Sequence, residues 1–434
     1  MKKTIIHIID NLARGGAETM LVTVTKNLPE YNNIIVTLYP QNEFGSHLQC
    51  DKLICLNLGS IKKIPIAALK LRVLIKQHKV DMVHSHLFWS TVVARLGVPK
   101  NIPLITTIHT FVKSSVEYQP WRMRAIERLS FWYKKSIIIA VAKGALKEYV
   151  SFVKVKPYKS YVLYTFVDTA LFNNELQHVL KPAGDTFKIV TVGNLKYQKN
   201  HRFLLAAFKQ FVTQPWSVSP QPLTVSPPTT PEQQNAIIKQ PWSVSSQPWS
   251  VSSQPWPVSP QPWSVSPPTT PKQQNASFKQ PCPVSPSTIH LDIYGNGPLD
   301  ISLQKLIDEH QLNVTLKGQV TGIQNVIGQY DLYVMSSLYE GFSLSVLEAM
   351  ALGMPMLLSD IPSFKEQCED TAIYFSADDP ADFVTKLNDL KNDPEKMLAL
   401  GQAAKKRVTG LFTLTKHLEH LKIIYLNTLK DYGS

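Results

Sequence analysis

"TIIHIIDNLARGGAETMLVTVTKNL", Thr4 to Leu28, sets the architecture. Thr4 to Ile9 is a short unbroken apolar run, as expected of a strand buried on both faces. A turn with Gly15 and Gly16 follows, and "TMLVTVTKNL" can form an amphipathic helix. Further on, "NNIIVTLY", "VDMVHSH" and "PLITTIHT" read as strands, "IAALKLRVLIKQHK" as a helix, and "SIIIAVAKGALKEYV" as strand then helix. Strands alternating with helices predict an α/β fold with a parallel sheet covered on both faces. The pattern restarts at "FKIVTVGNL", Phe187 to Leu195, and continues through "IHLDIYGNG", "NVTLKGQV", "DLYVMSS", "MPMLLSD" and "TAIYFSA". Two doubly wound, Rossmann-like domains are therefore expected, residues 1–180 and 181–410, with a last helix over 411–434.

Size and composition agree with this division. A chain of 434 residues exceeds one ordinary domain core, and 44% hydrophobic residues suffice for two. The net charge of +13 suggests an anionic partner: a nucleotide, an acidic lipid surface or nucleic acid. No long Lys/Arg block stands out, which argues against a nucleic-acid arm, and a generally basic surface is the plainer reading. Cys50, Cys55, Cys282 and Cys368 are scattered without a CxxC pair, so neither a metal site nor a disulfide framework is expected. The N-terminal apolar run ends at Asp10, too soon for a signal peptide. No run of ~18 apolar residues marks a transmembrane helix. The expectation is a cytoplasmic protein, at most peripheral at the inner face of the plasma membrane.

One segment departs from the pattern. Residues 213–287 consist of repeats such as "QPWSVSP" at Gln214 and Gln261, and "VSPPTTPEQQNA" at Val225. Proline at this density blocks helix and sheet interiors, so a disordered or polyproline-like insert is expected. It reads either as a multivalent docking segment or as an expanded repeat tolerated in a surface loop.

In open α/β sheets ligands bind beyond the carboxyl ends of the strands. Gly15 and Gly16 follow the first strand and open a helix, a place where backbone amides favour anions. His84, His86 and His109 read as strand-end residues, with His109 best placed. "VGNLKYQKN" offers Lys196 and Lys199 as phosphate-binding point charges, and "YGNGPL" offers a turn at Gly295. "EGFSLSVLEAMALGMP", Glu340 to Pro355, puts two carboxylates eight residues apart around a helix start. Ser345 and Glu348 fit an S-x-x-E capping box, which gives Glu348 a structural reading as well. Glu340 escapes that reading; its carboxylate suits sugar hydroxyls, while the adjacent amides suit a phosphate.

This last stretch resembles the E-x7-E signature of the retaining glycosyltransferases of family 4, which have the GT-B architecture. "GGAE", "TIHT", "VLYTFVDTALF", "VGNLKYQKNH" and "YGNGPL" support the resemblance in the right order. It covers essentially the whole chain except the repeats. It implies a cleft between the two domains and a C-terminal helix packing back towards the first. Gly15 and Gly16 would lie against the donor phosphates or the acceptor. His109 would sit beside the transferred sugar, and Glu340 would contact its hydroxyls, these two being the catalytic pair. Amides of Gly341, Phe342, Ser343 and Leu344 would hold the diphosphate, Glu348 the ribose, and Lys199 the leaving charge. Gly295 and Asn194 would border the donor. Many members carry arginine at the position of Asn194, and Lys196 is the substitute at hand; Ala142 stands where many have serine.

The resemblance further implies transfer of a hexosyl-type sugar (EC 2.4) from a nucleoside-diphosphate donor, UDP favoured, to a glycan or lipid-linked acceptor of a cell-surface polysaccharide. Configuration would be retained through an oxocarbenium-like transition state, with no metal or other cofactor. The rivals are a nucleotide-sugar 2-epimerase of the same fold and a non-catalytic nucleotide-sugar binder or repeat-driven interaction protein.

Overall fold

The computed structural model describes residues 2–13, 15–172, 186–213 and 288–433. The repeats expected to be disordered and the expected domain boundary near residue 180 lie outside the described residues.

The first sheet has seven strands: β1 (Thr4–Ile9), β2 (Asn32–Thr37), β3 (Lys52–Cys55), β4 (Met82–His86), β5 (Leu104–Ile108), β6 (Ile137–Ala140) and β7 (Ser160–Val162). All pair in parallel, in the order β3-β2-β1-β4-β5-β6-β7. The second sheet holds β8 (Phe187–Val192), β9 (Ile289–Tyr294), β10 (Val314–Gly318), β11 (Leu332–Met335), β12 (Met356–Ser359) and β13 (Ile373–Phe375). Its order, β10-β9-β8-β11-β12-β13, repeats the doubly wound plan. The order reverses between β1 and β4 in one sheet and between β8 and β11 in the other. At such a switch point the adjoining connections leave to opposite faces and open a crevice beyond the strand ends. These Rossmann-like sheets make two crevices, and the candidate site lies where they meet.

Apolar runs become central strands because helices cover both sides. Ile6 and Ile8 of β1 pack into one layer, with Phe88 and Val92 of α3 (Phe88–Gly97), reached after α1 (Gly16–Lys26) and α2 (Ile64–Gln77). Ile5, on the opposite face, packs with Met20 and Val24 of α1 and with Leu421, Ile424 and Tyr425 of the last helix, Leu414–Gly433. That helix thus lies against the first sheet. It begins three residues later than "LFT" suggests, because Leu411 still belongs to the preceding helix, Pro394–Leu411.

Inside the layer of α3 and α4 (Trp121–Tyr133) an ion pair is sealed from water. Arg95 Nη1 lies 2.8 Å from Glu127 Oε1, both side chains being at most 1% exposed. The Tyr149 hydroxyl donates to the same carboxylate oxygen over 2.5 Å. Removing one member of such a pair strands a charge in low dielectric. Arg95→Met is expected to lower unfolding stability by about 3–5 kcal/mol, measured by urea denaturation. A loss below ~1 kcal/mol would mean that Glu127 finds water or another partner.

Candidate active site

The two crevices face each other across a cleft of ≈610 Å3. Its first wall is built from residues that follow β1 and β5. Gly15 caps the amino end of α1 in an extended conformation, and Gly15, Gly16 and Ala17 border the cleft. Glu18, in the first turn of α1, borders it too, and burial pushes its carboxyl up to about 7. His109 stands directly beyond β5, half-buried; desolvation first, and His417 second, lower its pKa to about 3. Its ring is therefore neutral near pH 7. His86 Nδ1 and His109 Nε2 share a hydrogen bond of 3.1 Å, which fixes the His109 ring.

His84 and His86 do not stand on the rim as the sequence suggested. They lie within β4, because the strand runs on to His86. With His7 they form a buried group whose ligand atoms fall within 4.8 Å of one another. Both His84 nitrogens are engaged, by the Tyr425 hydroxyl and Thr107 Oγ1, each at 2.7 Å. His7 Nε2 meets Asn33 Oδ1 at 3.2 Å, so each of the three rings has a hydrogen-bond partner outside the group. Unpartnered His7 Nδ1 and His86 Nε2 belong to side chains that line a cavity of ≈10 Å3, about the room one water needs.

The second wall follows β8 and β11. Asn194 and Lys196 line the cleft, and Lys199 ends a short 3-10 turn, Tyr197–Lys199. Lys199 Nζ lies 2.6 Å from Glu340 Oε1, and the Ser337 hydroxyl donates to the same oxygen over 2.8 Å. The loop leaving β11 thus holds one carboxylate against one ammonium, both largely buried. Gly295 does not line the cleft. Its φ of +133° and the 2.0 Å from an added Cβ to the Gly193 carbonyl oxygen place it behind the Gly193–Asn194 turn, as packing. Only glycine fits there.

Gly341 joins the walls. A Cβ added to it would lie 1.9 Å from the carbonyl oxygen of His109, on the other domain. Beyond it, Phe342 packs on Tyr164 and Phe412, and Ser343 precedes the helix Leu344–Ala351. No capping box forms. Ser343 is the N-cap residue and makes no side-chain cap bond, so Ser345 and Glu348 fall inside the helix. The Ser343 amide donates to Gln367 Oε1 over 2.9 Å, so one of the four amides expected to face a ligand is already occupied. The first-turn amides from Leu344 onward have no intrahelical partner. Glu348 lies one turn inside and lines the cleft, and burial pushes its carboxyl up to about 8.

The site thus brings together Gly15, Gly16, His109, Asn194, Lys196, Lys199, Glu340, Gly341 to Leu344 and Glu348. Sequence reasoning gave no role to Glu18, although "GGAE" contained it, nor to Ser337, Gln198 or Glu117, for which no spacing spoke. Chemically, a helix start and Lys199 on one wall suit a diphosphate, and the lining carboxylates suit hydroxyl groups.

Two expectations follow from this geometry. Gly341→Ala must separate the Glu340 loop from His109, so ligand affinity in the cleft should fall by at least about tenfold in calorimetric titration, with each core intact. Unchanged affinity would mean that the walls do not need this approach. Glu348 has a folded pKa above its unfolded value of 4.5, so the folded state holds the extra proton between pH 4.5 and about 8. Its contribution therefore weakens as pH rises through that window, by up to about 1.4 kcal/mol per pH unit. Glu348→Gln should flatten the decline, so its melting temperature relative to wild type rises from pH 5 to pH 8; parallel curves would show that Glu348 does not titrate there.

Comparison with known proteins agrees with the geometry. The family described as Glycosyltransferase Family 4 matches residues 3–171, and Glycosyl transferases group 1 matches residues 276–407. The chain is 37% identical over 73 residues to the GtfA subunit of the UDP-N-acetylglucosamine–peptide N-acetylglucosaminyltransferase of Streptococcus pneumoniae, covering 16% of this chain and 14% of that protein. It is 35% identical over 103 residues to the trehalose synthase of Pyrococcus horikoshii, 24% of each. To the O-antigen biosynthesis glycosyltransferase WclY of Escherichia coli it is 26% identical over 145 residues, 33% of this chain and 40% of WclY. The chain therefore spans less than half the length of each. Among solved structures, sucrose-phosphate synthase from Thermosynechococcus elongatus superposes with a TM-score of 0.70 at 16% identity, over 99% of this chain and 100% of that one. Anabaena HepE, solved with UDP and glucose, gives 0.69 at 14% identity, over 97% and 98%.

Proposed function

Since the chain belongs to the family 4 glycosyltransferases and has their GT-B architecture, we propose that it moves a hexosyl unit from a nucleoside-diphosphate sugar, foremost a UDP-sugar, to a glycan or lipid-linked acceptor of a cell-surface polysaccharide. The observation that carries this reading is the pairing of Lys199 with Glu340 at a helix start, directly across the cleft from His109.

The leaving diphosphate is the group that gains charge in the transition state. Lys199 and the amides at the start of Leu344–Ala351 meet that charge from fixed positions, without reorganising solvent. Glu340 accepts hydrogen bonds from hydroxyls of the transferred sugar, and donor binding shares the Lys199 ammonium between carboxylate and phosphate. Glu348, deeper in the cleft, takes the ribose diol. Neutral His109 donates to or accepts from the sugar without adding a charge beside an oxocarbenium-like centre. Asn194 lends no charge, so Lys196 supplies the second cation of this wall. Attack comes from the face the diphosphate leaves, and the leaving phosphate takes the acceptor proton; configuration is retained with no covalent enzyme intermediate and no metal. Closure of the walls at Gly341 excludes water and orients donor and acceptor.

Melting the purified chain with UDP-, GDP-, ADP- and TDP-sugars tests the donor. Ligands bound to the folded state raise the melting temperature by mass action, and a UDP-sugar is expected to give the largest rise. Glu340→Gln should lower turnover on the order of 10²-fold while leaving the melting temperature of the free protein within a few degrees. A panel without any shift, or equal turnover in the variant, would overturn the assignment.

A further inference from the structure

A neutral imidazole has one nitrogen that carries a hydrogen and one that is bare. His109 is neutral near pH 7, so the place of its hydrogen decides whether the ring donates to a ligand or accepts from it. Its Nε2 is engaged by His86 Nδ1 over 3.1 Å, and Nδ1 is the nitrogen left for the cleft that the side chain lines. The His109 hydrogen is therefore tied to that of His86, which lies inside the first sheet.

The hydrogens around His86 can be traced from fixed acceptors. Asn33 Nδ2 donates to the Leu28 carbonyl over 2.9 Å, so it is Asn33 Oδ1 that meets His7 Nε2 at 3.2 Å. An amide oxygen only accepts. His7, neutral because burial lowers its pKa to about 4, thus holds its hydrogen on Nε2 and has a bare Nδ1. His417 is fixed in the same way: its Nδ1 donates to the Tyr164 carbonyl over 2.8 Å, which leaves Nε2 bare. Both nitrogens of His84 are already taken.

His7, His86 and His417 line the same cavity of ≈10 Å3, and His7 Nδ1 and His86 Nε2 have no partner among the described residues. A polar cavity of that size suits one water. The bare nitrogens of His7 and His417 call for both hydrogens of such a water. Its oxygen is then an acceptor, matched by a hydrogen on His86 Nε2. His86 Nδ1 is bare in that state and accepts from His109 Nε2–H. Bonds running one way, from His109 through His86 and the water to His7 and Asn33, also polarise one another favourably.

We propose that His86 is a positioning residue that keeps the hydrogen of His109 on Nε2, so that His109 Nδ1 meets the ligand as a bare acceptor for a hydroxyl of the transferred sugar. The use of Nδ1 rests on the transfer reading above; the place of the hydrogen does not.

The full chain, labelled with 15N-histidine, is measured at pH 7 without ligand by two-bond 15N–1H correlation, which separates bare from protonated ring nitrogens. His109 is assigned by the signals lost in His109→Gln. A protonated Nε2 and a bare Nδ1 are expected, and a protonated Nδ1 overturns the proposal. His86→Phe removes the acceptor and should bring the other tautomer into the His109 spectrum, with kcat lower by at least about tenfold and KM for the donor little changed. His86→Gln, whose side-chain oxygen can accept from Nε2–H, should restore the tautomer and most of the turnover. An unchanged His109 spectrum in His86→Phe, or equal turnover of the two variants, also overturns it. Should His86→Phe fail to fold, the wild-type spectrum still decides. A bare Nδ1 in a chain that binds no nucleotide sugar would overturn the transfer reading while bearing out the proton assignment.

Discussion

The cleft depends on one backbone contact. Gly341 runs so close to the carbonyl of His109 that no side chain fits between them. That contact sets the loop carrying Glu340 against the end of β5, and so brings a residue of the second sheet within reach of one from the first. Around it, Phe342, Tyr164 and Phe412 pack their rings, so the approach is buttressed by apolar contacts. Neither domain by itself contains the arrangement.

Burial then sets the charge state of the groups brought together. The same desolvation that keeps His109 neutral holds Glu348 and Glu18 protonated to unusually high pH. Glu340 has a cation and a hydroxyl at hydrogen-bond distance instead. The cleft thus presents carboxyl groups of different character to a ligand rich in hydroxyls and phosphate.

The long repeat enters between the helix His201–Thr213 and β9. In a parallel sheet that connection meets β9 at its amino end, opposite the edge where ligands bind. The entropic cost of a longer loop at such a connection grows only slowly with its length.

Much of this was legible in the sequence. Apolar runs such as Ile5 to Ile9, interrupted only by His7, and Ile137 to Ala140 read as strands covered on both faces, and their alternation with helices pointed to two parallel sheets. Local signals, glycines beyond strands and the two glutamates around a helix start, marked the residues that line the cleft. What local spacing could not carry was depth and partnership. It set His84 and His86 on the rim, where the strand in fact continues, and gave Glu348 a capping box although the helix begins at Leu344. It took Gly295 for a ligand contact when a neighbouring backbone requires it, and it passed over Arg95–Glu127, 32 residues apart. Periodicity and turn chemistry are properties of a few consecutive residues, so the sequence by itself determined the sheets, their helices and the edge where a ligand binds. Which backbone touches which, and which charge is shut away from water, arises between residues far apart in the chain, and only the tertiary structure decided it.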